Sequence, residues 1–223
     1  MSEGTPKRLF VAIVPPAAAL EHLGHVVDSL ELSRGDAAAA RLTAREGWHA
    51  TLAFLGQVPP TQLPDAVSAV ARAAQAFRAA PAPAHSDAVD GGGGRGSAVD
   101  DDAGPGLRLR LVGGGAFGDG ERQILWVGFG GDLAGLRRLA DAVRRELTDA
   151  GLTTDAREFR AHLTISRPRV PIHPELIASA LRQLRDYAGP LWTAGAIDLV
   201  ASERVPTDAG PRSRYTTLTS APL

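Results

Sequence analysis

The feature that most constrains this chain is a pair of short apolar segments, each carrying a His-x-Thr triplet. They read WHATLAFLG in the first quarter of the sequence and FRAHLTISR in the third quarter. Apolar runs of this length are typical of strands. Because strand side chains alternate between the two faces of a sheet, His49 and Thr51 are expected on one face of the first strand. His162 and Thr164 share a face of the second strand for the same reason.

The same alternation assigns the other residues of both segments. Ala53 is expected on the face of the first triplet, and Ser166 on the face of the second. The opposite face of each strand would pack into a core, and its members are Ala50, Leu52 and Phe54 in the first segment and Ala161, Leu163 and Ile165 in the second.

An imidazole and a hydroxyl in one row suit chemistry on a small anion. Imidazole has an ordinary pKa of about 6.5 and can act as an acid or a base near neutrality. A threonine hydroxyl can donate a hydrogen bond to an anionic oxygen. Two such pairs facing each other would supply a base for incoming water, an acid for a leaving oxygen and donors for the remaining oxygens of a phosphate. One triplet alone is a weak signal, but two in matched contexts indicate a shared site.

Strand and helix patterns follow one another without regular βαβ alternation, which favours an α+β fold with antiparallel pairing. A Gly-, Pro- and Asp-rich segment at 81–106 has no apolar periodicity, so we expect a flexible insertion within a single domain that spans 1–223. Besides the strand with the second triplet, strands are predicted at about 8–14, 48–56, 107–112, 124–129, 191–201 and 212–219. Helices are predicted at about 16–32, 61–80, 132–151 and 174–187. The third helix is expected to be capped by Asp132 and to bury Leu133, Leu136, Leu139, Val143 and Leu147.

Composition excludes several kinds of site. The chain has no cysteine, so disulfides, thiolate nucleophiles and Cys-based zinc sites are excluded. Its formal net charge is −1, which produces no overall attraction to nucleic acid. The N-terminal apolar run is too short for a signal sequence or a membrane span. We expect a cytoplasmic monomer that does not associate with membranes.

The two triplets and their surroundings resemble the two-histidine phosphoesterases, and among these the bacterial and archaeal RNA 2',3'-cyclic phosphodiesterases, formerly called 2'-5' RNA ligases. WHATLAFLGQV is similar to the first signature of that family, H-x-T-L-x-F-L-G, and FRAHLTISR to the second, H-[ILV]-T-[ILV]-x-R. RLFVAIVPP, ILWVGF and RSRYTTL resemble its opening strand, its central strand and a motif near its end. The resemblance implies a bilobal fold, with two antiparallel sheets around a central cleft and helices on the outside.

The resemblance also implies a role for each matching residue. The substrate would be RNA with a 2',3'-cyclic phosphate end, or a small cyclic nucleotide, and the product a 2'-phosphate. His49 would donate a proton to the departing 3' oxygen, and His162 would activate water. Thr51 and Thr164 would hold the phosphate oxygens, and Arg167 would add positive charge. No metal and no cofactor are implied.

Other interpretations of the sequence stay open. Arg214 and Tyr215 suit contact with an RNA phosphate and base, or else form a solvated strand edge. A non-catalytic module that binds RNA ends or nucleotides would keep the same pocket, and 2'-5' ligation is the reverse of the hydrolysis. A metal site is disfavoured because neither triplet has an acidic residue or second histidine at ligand spacing. The glycine runs at 91–94 and 113–115 do not continue to Gly-Lys-Ser/Thr, which excludes a P-loop. His173 is expected to start a helix.

Overall fold

A computed structural model describes residues 5–35, 42–80, 106–206 and 211–223. The strands are β1 (Lys7–Ile13), β2 (Ala50–Val58), β3 (Arg108–Phe117), β4 (Ile124–Gly131), β5 (His162–Ser166), β6 (Trp192–Thr193), β7 (Ala196–Val205) and β8 (Arg212–Pro222). The helices are α1 (Ala17–Ser29), α2 (Leu63–Ala79), α3 (Leu133–Asp149) and α4 (Pro174–Leu184). The segment predicted as a flexible insertion lies outside the described residues except for Gly106, so its flexibility stays a prediction.

The eight strands form one antiparallel sheet in the order β6-β3-β4-β5-β2-β1-β7-β8. Its two four-stranded halves meet where β5 pairs with β2. A single residue pair joins them there, with Ala50 opposite Leu163, and we call this pair the seam. The predicted α+β class with antiparallel pairing is confirmed, and the two expected sheets correspond to the two halves of this one sheet.

Apolar side chains from both halves and all four helices join in one core cluster. Leu9, Val11 and Ile13 of β1 enter this core and are at most 1% exposed. Phe10 and Ala12 alternate to the opposite face, where they form a smaller cluster with Val200. No helix residue of the described ranges belongs to this smaller cluster, so the helices cover one face of the sheet and leave the other for a site.

In helix α3 the start, the end and most of the buried face follow from the local sequence. The Asp132 carboxylate accepts a hydrogen bond from the Gly135 N–H at 2.6 Å, as predicted, and satisfies one of the free donors of the first turn. Gly151 follows the helix with φ of +75°, a left-handed conformation that commonly ends helices. The predicted residues Leu136, Leu139, Val143 and Leu147 are all fully buried. The prediction for Leu133 was wrong: it is 46% exposed, because it occupies the first helical position, before the buried stripe begins.

Some element ends differ from the predicted ones. Strand β2 was expected to stop at Gly56 but continues to Val58. Gly56 has φ of +71° and lies beside an irregularity in the pairing with β1, where glycine allows the chain to bulge without ending the strand. Helix α4 ends at Leu184, earlier than predicted.

None of the helices within the described ranges is long and apolar enough to cross a membrane.

Candidate active site

The seam brings the two His-x-Thr triplets side by side. The middle residue of the first triplet, Ala50, lies opposite the middle residue of the second, Leu163. In an antiparallel pair this register sets each histidine beside the threonine of the other strand, on the face turned away from the core. Both histidines and both threonines are partly buried. Two imidazoles and two hydroxyls therefore converge on one region between the halves of the sheet.

Two β-bulges in β2 change the faces that strict alternation predicts. The pairing of β2 with β1 skips Leu52 and Leu55. As a result Ala53 joins the main core, while Phe54 packs on the face of the site, with its ring centroid 5.8 Å from that of Phe10. The predicted faces of Ala53 and Phe54 were therefore wrong, because each extra residue in a strand shifts the alternation that follows it.

Strand β5 has a bulge of the same kind. Its pairing with β4 skips Ile165, so that Ser166 lies opposite Leu125, a core residue. Ser166 is 0% exposed. The prediction that Ser166 shares the face of His162 was wrong for this reason, whereas the face of Thr164, which precedes the bulge, was predicted correctly.

His49 lies in an aromatic environment. Its ring stacks on Phe10, with 4.6 Å between centroids and 26° between ring planes. Tyr215 of β8 meets the same imidazole edge-on at 5.2 Å. Burial lowers the pKa of His49 to about 4, and the positive charges of His162 and Arg167 add to this effect. The free site therefore holds His49 in its neutral form at physiological pH.

Tyr215 also contacts the backbone just before His49. A Cβ added at Gly47 would lie 3.1 Å from the Tyr215 ring, so the absence of a side chain lets this turn approach the ring closely. In the same turn Arg45 forms an ion pair with Asp28 of α1. The segment that leads into His49 is thus held between the first helix and the last strand.

His162 is held differently. Its Nδ1–H donates a hydrogen bond to the carbonyl oxygen of Arg160 at 2.7 Å, which leaves Nε2 free to accept or give a proton. Phe117 meets the ring edge-on at 4.9 Å, and Trp126 does so at 6.5 Å. Burial lowers the pKa of His162, the bond to Arg160 opposes that lowering, and the charge of Arg167 adds to it.

Arg167 follows directly after β5, and its side chain is exposed. Its positive charge lowers the pKa of both His49 and His162. A guanidinium that acts on both imidazoles lies where it can also attract an anion bound between them.

The predicted pair Arg214 and Tyr215 is divided by the structure. Neighbouring residues of a strand point to opposite faces. Tyr215 contacts His49, so Arg214 projects from the other face of β8, where the register sets it opposite Glu203. The structure thus brings Tyr215 to the site, but does not bring Arg214.

Three aromatic residues that contact the site histidines were not predicted, namely Phe10, Phe117 and Trp126. Phe10 and Trp126 each lie between two core residues of an apolar strand. Alternation along the strand therefore predicts that both side chains point to the face opposite the core. Their contacts with the histidines depend on β1 lying beside β2 and β4 beside β5. That order of strands is not visible in the sequence.

The glycine run at 113–115 makes room for one of these rings. The register between β3 and β4 shifts between Val112 and Gly115. A Cβ on Gly115 would lie 2.5 Å from Cη2 and 2.7 Å from Cε2 of Trp126. The glycine run therefore lets the Trp126 indole lie directly on β3. Its role is to make room for this ring and not to bind phosphate as a P-loop does.

No three His, Asp or Glu side chains of the described ranges come together as ligands for a metal ion. His22 lies outside this site and forms a hydrogen bond with Tyr187, with 3.3 Å between its Nδ1 and the tyrosine hydroxyl. His173 accepts a hydrogen bond from the Glu175 N–H at 3.3 Å at the start of α4, which confirms the prediction that it starts a helix.

Among known proteins, similar sequences were found over most of the chain. Residues 14–206 match the model of the 2'-5' RNA ligase superfamily. A stretch of 81 residues is 36% identical to the RNA 2',3'-cyclic phosphodiesterase of Aeropyrum pernix, and covers 36% of this chain and 46% of that protein. The chain therefore aligns with about half the length of this relative.

Solved structures share the fold at low sequence identity. TT0787 of Thermus thermophilus matches with a TM-score of 0.64 at 22% identity, over 97% of each chain. E. coli LigT in apo form matches with a TM-score of 0.60 at 22% identity, over 98% of each chain. E. coli LigT complexed with 3'-AMP gives 0.61 at the same identity and coverage. These structures show a shared fold, and the match of residues 14–206 shows that the chain belongs to the 2'-5' RNA ligase superfamily.

Proposed function

We propose that this protein hydrolyses 2',3'-cyclic phosphodiesters, at RNA ends or on small nucleotides, to 2'-phosphates, with His49 and His162 as its proton-transfer groups. The observation that carries the proposal is the seam, which sets two imidazoles and two threonine hydroxyls around one region. The relative from A. pernix is named RNA 2',3'-cyclic phosphodiesterase, and E. coli LigT has a structure with 3'-AMP. Both names support a nucleotide phosphate as the substrate of this chain.

The reaction forms a bond between the oxygen of water and phosphorus, and breaks the bond between phosphorus and the 3' oxygen. One imidazole takes a proton from the water, and the other gives a proton to the 3' oxygen. Thr51 and Thr164 donate hydrogen bonds to the non-bridging oxygens, and Arg167 stabilises the negative charge that builds on them. Tyr215 offers a ring on which a base can stack.

Substrate binding changes the protonation of the site in a useful direction. Burial lowers the pKa of both histidines in the free protein, and Arg167 adds to that lowering. A phosphate anion bound between the imidazoles would favour their charged forms and raise both pKa values. The bound substrate thus helps to supply the proton that its own leaving oxygen requires.

The pH dependence of kcat/KM should be bell-shaped, because one imidazole must be neutral and the other protonated. The two limbs of the curve belong to the coupled pair of histidines.

A purely binding function would not require two imidazoles in matched positions, which is why we favour catalysis. Ligation to a 2'-5' linkage would use the same residues in the same roles, with a 5'-hydroxyl as the nucleophile in place of water, so it is a parallel reaction and not the reverse of the hydrolysis. An assay with excess 5'-hydroxyl RNA would detect that activity beside the hydrolysis.

The test is turnover of a nucleoside 2',3'-cyclic phosphate, with the product identified as 2'- or 3'-phosphate by phosphorus NMR. We expect the 2'-phosphate, and we expect EDTA to leave the rate unchanged. His49→Ala and His162→Ala should each lose on the order of 10²–10⁴ in kcat, the usual contribution of general acid–base catalysis. His25→Ala is the matched control, because it removes an exposed imidazole from α1.

Absence of turnover by the wild-type protein on a panel of cyclic phosphates would contradict the proposal. So would full activity of either site variant with an unchanged melting temperature. A loss of the same size in His25→Ala would show that the assay reports stability and not chemistry.

A further inference from the structure

Two arginines flank the strand of the second triplet, but they differ in their reach. Arg167 follows β5, and its positive charge lowers the pKa of both His49 and His162. Arg160 precedes β5, and its charge lowers the pKa of His162 but not that of His49. Arg167 therefore acts on the region between the imidazoles, whereas Arg160 lies beside His162 and away from His49.

The side chain of Arg160 lies on the face of the site. Its two neighbours, Phe159 and Ala161, pack against the main core, while Arg160 itself is exposed. Alternation along an extended segment then turns Arg160 to the same face as His162. The carbonyl group of Arg160 anchors His162 through a hydrogen bond of 2.7 Å, and its guanidinium takes no part in that bond.

Arg110 of β3 faces the same side of the sheet. It lies between two fully buried leucines, so its own side chain points away from the core. The register sets Arg110 opposite Gly130 of β4, and His162 opposite Gly128. Because β4 and β5 are antiparallel, two further residues bring Arg160 to the level of Gly130. Arg110 and Arg160 thus approach this glycine from its two sides, across about 10 Å between β3 and β5.

Glycine at position 130 keeps the space between these arginines open. A Cβ on Gly130 would lie 3.5 Å from Cγ of Arg110 and 3.2 Å from Cγ1 of Val112. The aliphatic stem of Arg110 therefore lies across the glycine, and this contact holds the side chain over the sheet. A larger residue at this position would displace the stem and fill the floor between the two guanidinium groups.

Neither arginine is neutralised by a neighbour. The ion pairs of the described residues join Arg45, Arg72 and Arg157 to carboxylates, and none of them involves Arg110 or Arg160. Two guanidinium groups without a carboxylate, beside a phosphate site, attract a further anion. A guanidinium can bind a phosphate through two parallel hydrogen bonds, which gives such a contact a defined geometry.

We propose that Arg110 and Arg160 form a second phosphate subsite, which binds the phosphate on the 5' side of the terminal nucleotide while the cyclic phosphate lies between the histidines. The protein therefore selects RNA ends, in which that 5' phosphate is always present, over nucleosides that carry only the cyclic phosphate. This inference rests on the proposed function and names its substrate class. Two residues separate Arg160 from His162, about 7 Å in an extended chain, so the subsite lies one nucleotide away from the site of cleavage.

The other half of the sheet offers a competing position. Arg8 of β1 is exposed and precedes the buried Leu9, so it faces the site from the side of His49. Its cross-strand neighbours, Gln57 and Ser202, carry side chains of their own and fill the floor that glycine leaves open beside Arg110. Arg8 therefore serves as the comparison on the other half.

The first arm of the test measures binding without turnover. Calorimetry compares adenosine 2',5'-bisphosphate with adenosine 2'-phosphate, which differ only in the 5' phosphate. Charge-assisted hydrogen bonds to that phosphate should make the bisphosphate bind the wild type at least about tenfold more tightly. Arg110→Gln and Arg160→Gln should each lose most of this advantage, and Arg160→Lys, which keeps the charge, should lose less of it.

Two further variants serve as controls that remove the same charge. Arg182→Gln removes an exposed arginine of α4, on the helix side of the sheet, and should keep the full advantage. Arg8→Gln should keep it as well. Equal affinity of the wild type for the two ligands would overturn the proposal. So would an advantage that survives undiminished in either Arg110→Gln or Arg160→Gln, or that is lost in Arg8→Gln instead.

The second arm measures turnover of three substrates: adenosine 2',3'-cyclic phosphate, its 5'-phosphorylated form, and a dinucleotide that ends in the same cyclic phosphate. In the wild type, kcat/KM should be at least about tenfold higher for the second and third substrates than for the first. The ratio within each variant cancels any change in the chemistry at the histidines. This ratio should fall toward one in Arg110→Gln and Arg160→Gln, but not in Arg182→Gln.

A dinucleotide that gains nothing over the nucleoside cyclic phosphate would overturn the selection of RNA ends. A ratio that stays unchanged in either site variant would overturn the role of that arginine pair. If the wild type hydrolyses none of the three substrates, the proposed function fails, while the binding arm still decides whether Arg110 and Arg160 hold a second phosphate.

Discussion

The low pKa of His49 should make the folded state sensitive to mild acid. Its pKa is about 4 in the folded protein against an ordinary value of 6.5, so the unfolded chain binds this proton first as the pH falls. Linkage then requires the free energy of unfolding to be highest above about pH 6.5 and to fall down to about pH 4. A difference of about 2.5 in pKa corresponds to about 3 kcal/mol in full, of which about 2 kcal/mol is lost between about pH 7.5 and pH 5.

Urea unfolding at these two pH values measures the effect. The wild type should lose about 2 kcal/mol more than His49→Gln between the two conditions, because glutamine cannot titrate. His25→Gln removes an exposed imidazole of α1 and should behave like the wild type. His162 and every carboxylate remain in all three proteins, so their effects on the pH dependence largely cancel in the comparison.

Equal pH dependence in the wild type and His49→Gln would refute the reasoning, because it would mean that folding does not dehydrate this imidazole. A steeper loss in His49→Gln than in the wild type would refute its sign. An equal change in the two glutamine variants would show that the removal of any imidazole has this effect.

Three further predictions concern other parts of the site and its support. Gly115→Ala would set a methyl group against the Trp126 indole, closest to Cζ2 and 2.5 Å from Cη2, which is at least about 1 Å inside the normal contact distance of ~3.5 Å. Urea unfolding should show a loss of about 1–3 kcal/mol, against less than about 0.5 kcal/mol for Gly195→Ala, where no atom lies within 4 Å. Asp132→Ala removes the cap of α3 and should cost about 1 kcal/mol, and no change in melting temperature would contradict the capping bond. Arg167→Gln should raise the pKa of both site histidines in the free protein and should also raise KM, whereas NMR midpoints that stay unchanged would disprove its electrostatic role.

Spacing along the chain was sufficient to predict the strands and the shared face of each triplet. The bulge at Leu52 follows the first triplet, and the bulge at Ile165 follows the second, so alternation holds within both triplets and fails just beyond them. Phe54 and Ser166 were misplaced for that reason. A bulge depends on how a strand pairs with its neighbour, and the residues of one strand alone do not reveal it.

The surroundings of the histidines could be predicted only in part. Arg214 and Tyr215 are adjacent in a strand, and alternation alone should have shown that both cannot face one site. Phe10 and Trp126 could have been recognised as residues of the face opposite the core. Their distances to the imidazoles depend on the order of eight strands, in which sequence neighbours such as β2 and β3 lie apart.

The division of the sheet at the seam has a consequence for how such a protein can adapt. Phe10 and Tyr215 belong to the same half as His49, and Phe117 and Trp126 belong to the half of His162. In the parts of the chain that the structure describes, none of these four rings contacts both imidazoles. Substitutions in one half can therefore retune one imidazole while the cover of the other is left intact. Under the proposed function, the acid and alkaline limits of activity would then evolve one at a time, which would let a lineage follow a change in the pH of its surroundings without rebuilding the site.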